Sequence, residues 1–124
     1  MKKILIVDDH ADIRRLIRMT LEFEDYDVRE AADGEAALAL AQEFQPDLVL
    51  LDVMMPGDIN GLDVCRRLRA AEAPGRGPRV IMLSARGQAS DREAGLQAGA
   101  DTYLVKPFSP LQLISCIGEL WAAA

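Results

Sequence analysis

The chain has 124 residues, 14 of them basic and 20 acidic, for a net charge of −6, and half of its side chains are apolar. That length fits one domain spanning 1–124 with a core that needs no cross-links, and the apolar content excludes wholesale disorder. The acidic balance excludes a nucleic-acid surface as the main function, because phosphate contacts need clustered Lys and Arg. In chain order, Lys3–Val7 reads as a fully buried strand. Its apolar run is closed at once by Asp8 and Asp9, so it is too short for a signal-peptide core or a membrane span, and a cytoplasmic protein is expected. Asp12–Phe23 follows with Ile13, Leu16, Ile17 and Leu21 at helical spacing. Asp27–Ala31 is a more polar strand. Asp33-Gly34 opens an Ala-rich helix that Pro46 ends beyond Phe44, since proline cannot donate into the helix.

Asp47–Leu51 is a second buried strand, and Met54–Asn60 is a loop marked by Pro56, Gly57 and Asn60-Gly61. Leu62–Ala71 is helical, Ala73–Pro78 is a Gly- and Pro-rich loop, and Arg79–Leu83 is a strand. The pattern Ser90-x-x-Glu93 opens a helix to Ala98 as a capping box, and Ala100–Val105 is the last strand. Ser109-Pro110-x-Gln112 then combines a cap with proline at the first helical position, starting a helix that runs to about Trp121. Five strands alternating with five helices predict an α/β, doubly wound, three-layer fold with a parallel sheet. In such folds the site lies outside the carboxyl ends of the strands.

Those ends carry polar residues. Asp8 and Asp9 close the first strand, Asp52 the third, and Ser84 and Lys106 follow the fourth and fifth. A strand-end Asp can simply cap a helix, but the whole set is not explained that way. Three carboxylates converging in one pocket repel each other. A hard divalent cation relieves this, and Mg²⁺ suits oxygen ligands while keeping several waters. Lys106 adds a compact positive charge in a chain whose other bases after Lys3 are all arginines.

These residues resemble a known family. Asp8-Asp9, Asp52 within Leu51-Asp52-Val53-Met54-Met55-Pro56-Gly57, Ser84-Ala85 and Lys106-Pro107-Phe108 are similar, in order and nearly in spacing, to the receiver domain of two-component response regulators. The resemblance covers essentially the whole chain and implies a flavodoxin-like (βα)₅ sheet in the order 2-1-3-4-5. It implies that Asp52 accepts a phosphoryl group from a sensor histidine kinase or a histidine phosphotransfer protein. It further implies that Asp8, Asp9, Asp52 and the backbone carbonyl of Met54 hold Mg²⁺, and that Lys106 neutralises phosphoryl charge. Ser84 and Tyr103 are then the switch pair, Ala85 leaves room for the phosphoryl group, and Lys106-Pro107 is a cis peptide. Such a domain is a signalling phosphoacceptor that acts only on its own phosphorylation and dephosphorylation.

The sequence also departs from the family pattern. Pro56-Gly57-Asp58-Ile59-Asn60-Gly61 carries one extra residue and puts Asn before the Gly, so a different loop shape is expected beside Asp52. Met54 and Arg86 occupy the positions that tune phosphoryl lifetime in the family. His10 is expected at the site rim or surface. The arginines Arg66, Arg67, Arg69, Arg76 and Arg79 read as a solvated helix face, and Cys65 and Cys116 as buried free thiols. The last helix carries more apolar residues than one stripe needs, which suggests an output partner or a second copy on the final strand-helix face. No output domain lies in these residues, so the chain reads as a stand-alone receiver or one excised from a longer regulator, touching neither nucleic acid nor membrane directly. Among rivals, an aspartyl-phosphate phosphatase needs Asp-x-Asp where Asp52-Val53-Met54 stands. A flavin or nucleotide module needs a phosphate-cradling first loop, which Asp8-Asp9-His10 does not supply. A structural pseudo-receiver usually loses the acids or the lysine, all of which are present.

Overall fold

The computed structural model describes residues 1–55, 57–70, 77–85 and 89–122. The expectations placed on Pro56, on residues 73–76, on Arg86 and on the side chains of Ala85 and Ser90 lie outside the described residues. In chain order the elements are β1 (Lys2–Val7), α1 (Ala11–Leu21), β2 (Tyr26–Ala31), α2 (Gly34–Phe44), β3 (Leu48–Asp52), α3 (Gly61–Ala70), β4 (Arg79–Ala85), α4 (Ala89–Gln97), β5 (Thr102–Lys106) and α5 (Pro110–Ala122). The strands form one parallel sheet in the order β2-β1-β3-β4-β5.

Continuous apolar strands arise because both faces of this sheet are covered, and the period-two side-chain alternation divides each strand between two cores. Leu5, Val7, Val49, Leu51, Val80 and Met82 point to one face and pack with Ala37 and Ala41 of α2 and Val64, Cys65 and Leu68 of α3. Ile4, Ile6, Leu48, Leu50, Ile81 and Leu83 point to the other and meet Ile17 and Leu21 of α1 and Leu113, Ile117 and Leu120 of α5. Cys65 is buried and Cys116 half-buried, both free, and burial pushes both thiols above their ordinary range. Leu111 and Ile114 remain exposed on α5, the apolar surplus noted in the sequence.

Local chemistry sets the helix ends. Asp33 caps α2 by accepting from Ala36 N at 2.8 Å. Gln45 closes it in the left-handed region at φ 55°, just before Pro46. Asn60 Oδ1 accepts from Asp63 N while Asp63 Oδ2 accepts from Asn60 N, a reciprocal cap that starts α3 one residue earlier than expected. Ser109 and Gln112 make the same reciprocal pair ahead of Pro110, as the sequence indicates.

Other boundaries differ. α4 begins at Ala89, ahead of the serine expected to cap it. α1 stops at Leu21, leaving Phe23 beyond it and exposed. β5 starts two residues late: Gly99 turns at φ 108°, Ala100 N bonds back to Gly95 O, and only from Asp101 N, which donates to Val80 O of β4, does the chain join the sheet, just ahead of the first pair, Thr102 with Ile81. More relevant to function, β3, β4 and β5 each run further than their apolar stretches. Asp52 pairs with Leu83, Ser84 with Val105 and Ala85 with Lys106, so these polar residues are the last rungs of the ladder and do not follow it. A polar side chain does not interrupt backbone pairing; it only marks where burial ends.

Candidate functional site

The five polar strand-end residues gather at the carboxyl edge of β1, β3, β4 and β5. Asp8 follows β1 with its side chain fully buried, and its backbone is tied by Asp8 N to Ala31 O and by Arg14 Nη1, which donates to Asp8 O at 2.6 Å. Arg14 is itself braced by Glu30, which also pairs with Arg18 at 2.6 Å. Burial pushes the Glu30 carboxyl up, but the Arg18 and Arg14 guanidiniums outweigh it and hold the group below its usual range. Asp52, only 4 % exposed, ends β3. A Cβ at Gly61 would collide with the Asp52 carbonyl, so only glycine lets α3 start this close to the strand end. The adjoining loop turns at Gly57 with φ 99°, and Ile59 packs so closely over Gly34 that a Cβ there would lie 2.6 Å from Ile59 O.

Lys106 reaches across from β5. Its Nζ lies 2.8 Å from Asp8 Oδ2 and 3.4 Å from Asp52 Oδ1. Met54 N also donates to Asp52 Oδ1, at 3.3 Å, while the Met54 side chain is exposed. Burial, chiefly, together with the neighbouring Asp8 charge raises the Asp52 carboxyl to about 6, against the pull of Lys106. One ammonium is therefore not enough to make this pocket comfortable for its carboxylates.

Three buried side-chain polar atoms among the described residues have no hydrogen-bond partner: Asp9 Oδ1, Asp52 Oδ2 and Ser84 Oγ. All three belong to this cluster. Orphaned buried carboxylate oxygens are costly, and a divalent cation satisfies them. Asp8, Asp9, His10 and Asp52 can each offer one donor atom, all within 4.8 Å of one another. The acidic cluster of Asp8, Asp9 and Asp52 thus fits a Mg²⁺ site in number, charge and spacing.

The remaining expected residues fall around this centre. Tyr103 is half-buried on β5, two rungs before the Ser84–Val105 pair, and pairs in register with Met82. Its hydroxyl accepts from Arg92 Nη1 at 2.8 Å, and the Arg92 guanidinium also lies 4.7 Å from the ring centroid. The Lys106-Pro107 peptide is cis. His10 stands at the rim, with 63 % of its side chain exposed. Sequence reasoning missed Arg14 and Arg92, long side chains whose targets belong to other elements. It also grouped arginines that the structure separates. Arg66 pairs with Asp63 on its own helix, whereas Arg69 leaves the helix face to bond Gly99 O, Pro78 O and Asp101 Oδ2.

The model of the response regulator receiver domain family matches residues 4–118. The chain belongs to that family. Its role is therefore that of a phosphoacceptor signalling domain of two-component systems. The transcriptional regulatory protein ResD of Bacillus subtilis is 49 % identical over 112 residues, covering 90 % of this chain and 45 % of ResD. The DNA-binding response regulator MtrA of Mycobacterium tuberculosis is 43 % identical over 114 residues, covering 92 % of this chain and 48 % of MtrA. This receiver domain spans about half the length of the curated relatives it matches. Among solved structures, the chemotaxis protein CheY4 of Vibrio cholerae superposes with a TM-score of 0.86 at 34 % identity, covering 96 % of this chain and 98 % of that one. The receiver domain of NtrX from Brucella abortus gives 0.88 at 30 % identity, covering 98 % and 99 %. Among the described residues, no helix is long and apolar enough to cross a membrane.

Proposed function

We propose that residues 1–124 act as one receiver domain in which Asp52 accepts a phosphoryl group from a phosphohistidine on a sensor histidine kinase or a histidine phosphotransfer protein. The observation that carries this reading is Asp52 itself, a buried strand-end carboxylate with one oxygen near Lys106 Nζ and the other without a partner. A carboxylate oxygen of Asp52 bonds to phosphorus as the phosphorus–nitrogen bond of the donor breaks. The electron pair of that bond leaves with the donor imidazole, which takes up a proton. Lys106 neutralises charge on the transferred group, and the unpartnered Ser84 hydroxyl donates to one of its oxygens. Asp8, Asp9, Asp52 and the Met54 carbonyl would hold Mg²⁺, which would supply further positive charge beside the transferred group.

Ser84 and Tyr103 form the switch. When Ser84 turns to the phosphoryl group, Tyr103 changes its packing, and the α4-β5-α5 face presents a changed surface. Exposed Leu111 and Ile114 suit that face to an output partner or a second copy. The domain turns over no separate substrate and catalyses only its own phosphorylation and dephosphorylation, in the cytoplasm. The expectation that nucleic acid plays no direct part is withdrawn for the whole protein, because MtrA is a DNA-binding regulator about twice as long as this chain. The charge of −6 speaks only to the surface of this domain.

The test is incubation with a small acyl phosphate. Wild-type protein with Mg²⁺ should gain an acid-stable, base-labile phosphoryl group, and chelation should abolish it. Labelling that ignores chelation, or that survives base, contradicts the reading.

A further inference from the structure

The magnesium reading accounts for three of the four clustered donors and leaves out the imidazole. His10 Nδ1 is 3.1 Å from Asp8 Oδ1, a hydrogen-bond contact, and 3.2 Å from Asp9 Oδ1, which has no hydrogen-bond partner. His10 also sits at the cap position of α1 without making a side-chain cap, so its ring is not engaged by the helix. Asp52, 4 % exposed, carries a second unpartnered oxygen in the same cluster. Two ligands of one ion, at bonds of about 2.0–2.1 Å and tetrahedral or octahedral angles, lie roughly 2.8–3.4 Å apart. The imidazole is therefore spaced from both carboxylates as a fellow ligand would be.

We propose that His10 is a fourth protein donor of this centre and gives it a second metal mode, in which a borderline divalent ion such as Zn²⁺ is held by the imidazole together with Asp8, Asp9 and Asp52. The inference rests on the magnesium reading of the same carboxylates and differs from it by one ligand. Imidazole suits zinc and its transition-metal neighbours, whereas carboxylate, carbonyl and water suit magnesium. Zinc completes a shell with four nitrogen and oxygen donors, the number this cluster offers, while magnesium retains waters and leaves the ring outside. The two ions compete for one pocket, and His10 sets the preference between them.

The test uses the whole chain, titrated calorimetrically with Zn²⁺ and with Mg²⁺, alongside proton NMR of the imidazole. His10 is the sole histidine, so its ring signals are unambiguous. Zinc should shift both ring C–H signals strongly and magnesium should not. His10→Ala, and His10→Phe as a variant that keeps a ring, should each reduce the zinc-to-magnesium affinity ratio at least tenfold. Asp9→Ala should weaken both ions. An unchanged ratio in both His10 variants, or ring signals that ignore zinc, overturns the proposal. Failure of magnesium to bind the wild type counts separately, against the reading of the carboxylates.

Discussion

Lys106 Nζ lies closer to Asp8 Oδ2, at 2.8 Å, than to Asp52 Oδ1, at 3.4 Å. The lysine is thus anchored on a fully buried carboxylate of the first strand end while remaining within reach of the proposed acceptor. Lys106→Ala leaves two buried carboxylates facing each other. We expect a loss of about 1–3 kcal/mol at pH 7 without Mg²⁺, less than the ~3–5 kcal/mol of a fully buried pair because the lysine keeps some solvent contact. Added Mg²⁺ should restore part of it. Urea unfolding with and without the ion measures both effects.

The raised Asp52 carboxyl gives stability a defined pH dependence. The unfolded chain loses this proton near the ordinary 3.8, and the folded chain keeps it up to about 6. Between those values the native state binds the extra proton, so stability falls as pH rises through this window and stays lower above it. The size is of order 1–3 kcal/mol. Asp52→Asn should flatten that slope and, without Mg²⁺, be more stable than wild type at pH 7. A denaturation series from pH 4 to 8 on both proteins reads it directly.

Metal should act in the opposite sense. Mg²⁺ at a hundred times its Kd should stabilise the wild type by about 2.7 kcal/mol. Asp9→Ala removes one of the unpartnered oxygens and should lose most of that gain at the same ion concentration. The effect should fade below about pH 6 as Asp52 takes up its proton. Thermal melts across an Mg²⁺ titration distinguish the two proteins.

Arg69 fastens α3 to the segments entering β4 and β5 through Gly99 O, Pro78 O and Asp101 Oδ2, and Asp101 Oδ2 also accepts from Val80 N. Arg69→Ala should destabilise by about 2–3 kcal/mol. Arg69→Lys keeps the charge but not the planar fork and should recover less than half. Equilibrium urea curves for the three proteins check the ranking.

Much of this was legible because a doubly covered parallel sheet writes its strands as apolar runs, and Asp8, Asp52, Ser84 and Lys106 each stand directly after one, with Asp9 next to Asp8. Ser109 was legible as a cap, and Asp33 as the start of a helix, because helix starts are chemistry within four residues. The ends of β3, β4 and β5 were not, because partners such as Leu83 for Asp52 decide where pairing stops. β5 is only half-buried along its whole length, so its polarity gives no boundary. At the site, residue types announced the carboxylates and the lysine. The Arg92 contact with Tyr103 and the three-way grip of Arg69 were hidden, since long side chains join elements whose relative placement only the fold sets. His10 was placed at the rim from sequence, but its approach to two carboxylates depends on a ring orientation that no pattern encodes.

The central claim is that Asp52 is the phosphoryl acceptor, and mapping the modified residue tests it most directly. Wild type and Asp52→Asn are treated with a small acyl phosphate and Mg²⁺, and the base-labile adduct is located by mass spectrometry after trapping. The account predicts one phosphoryl group on Asp52 in the wild type and none in the variant. Equal labelling of Asp52→Asn, or an adduct on any other residue of the wild type, would contradict it.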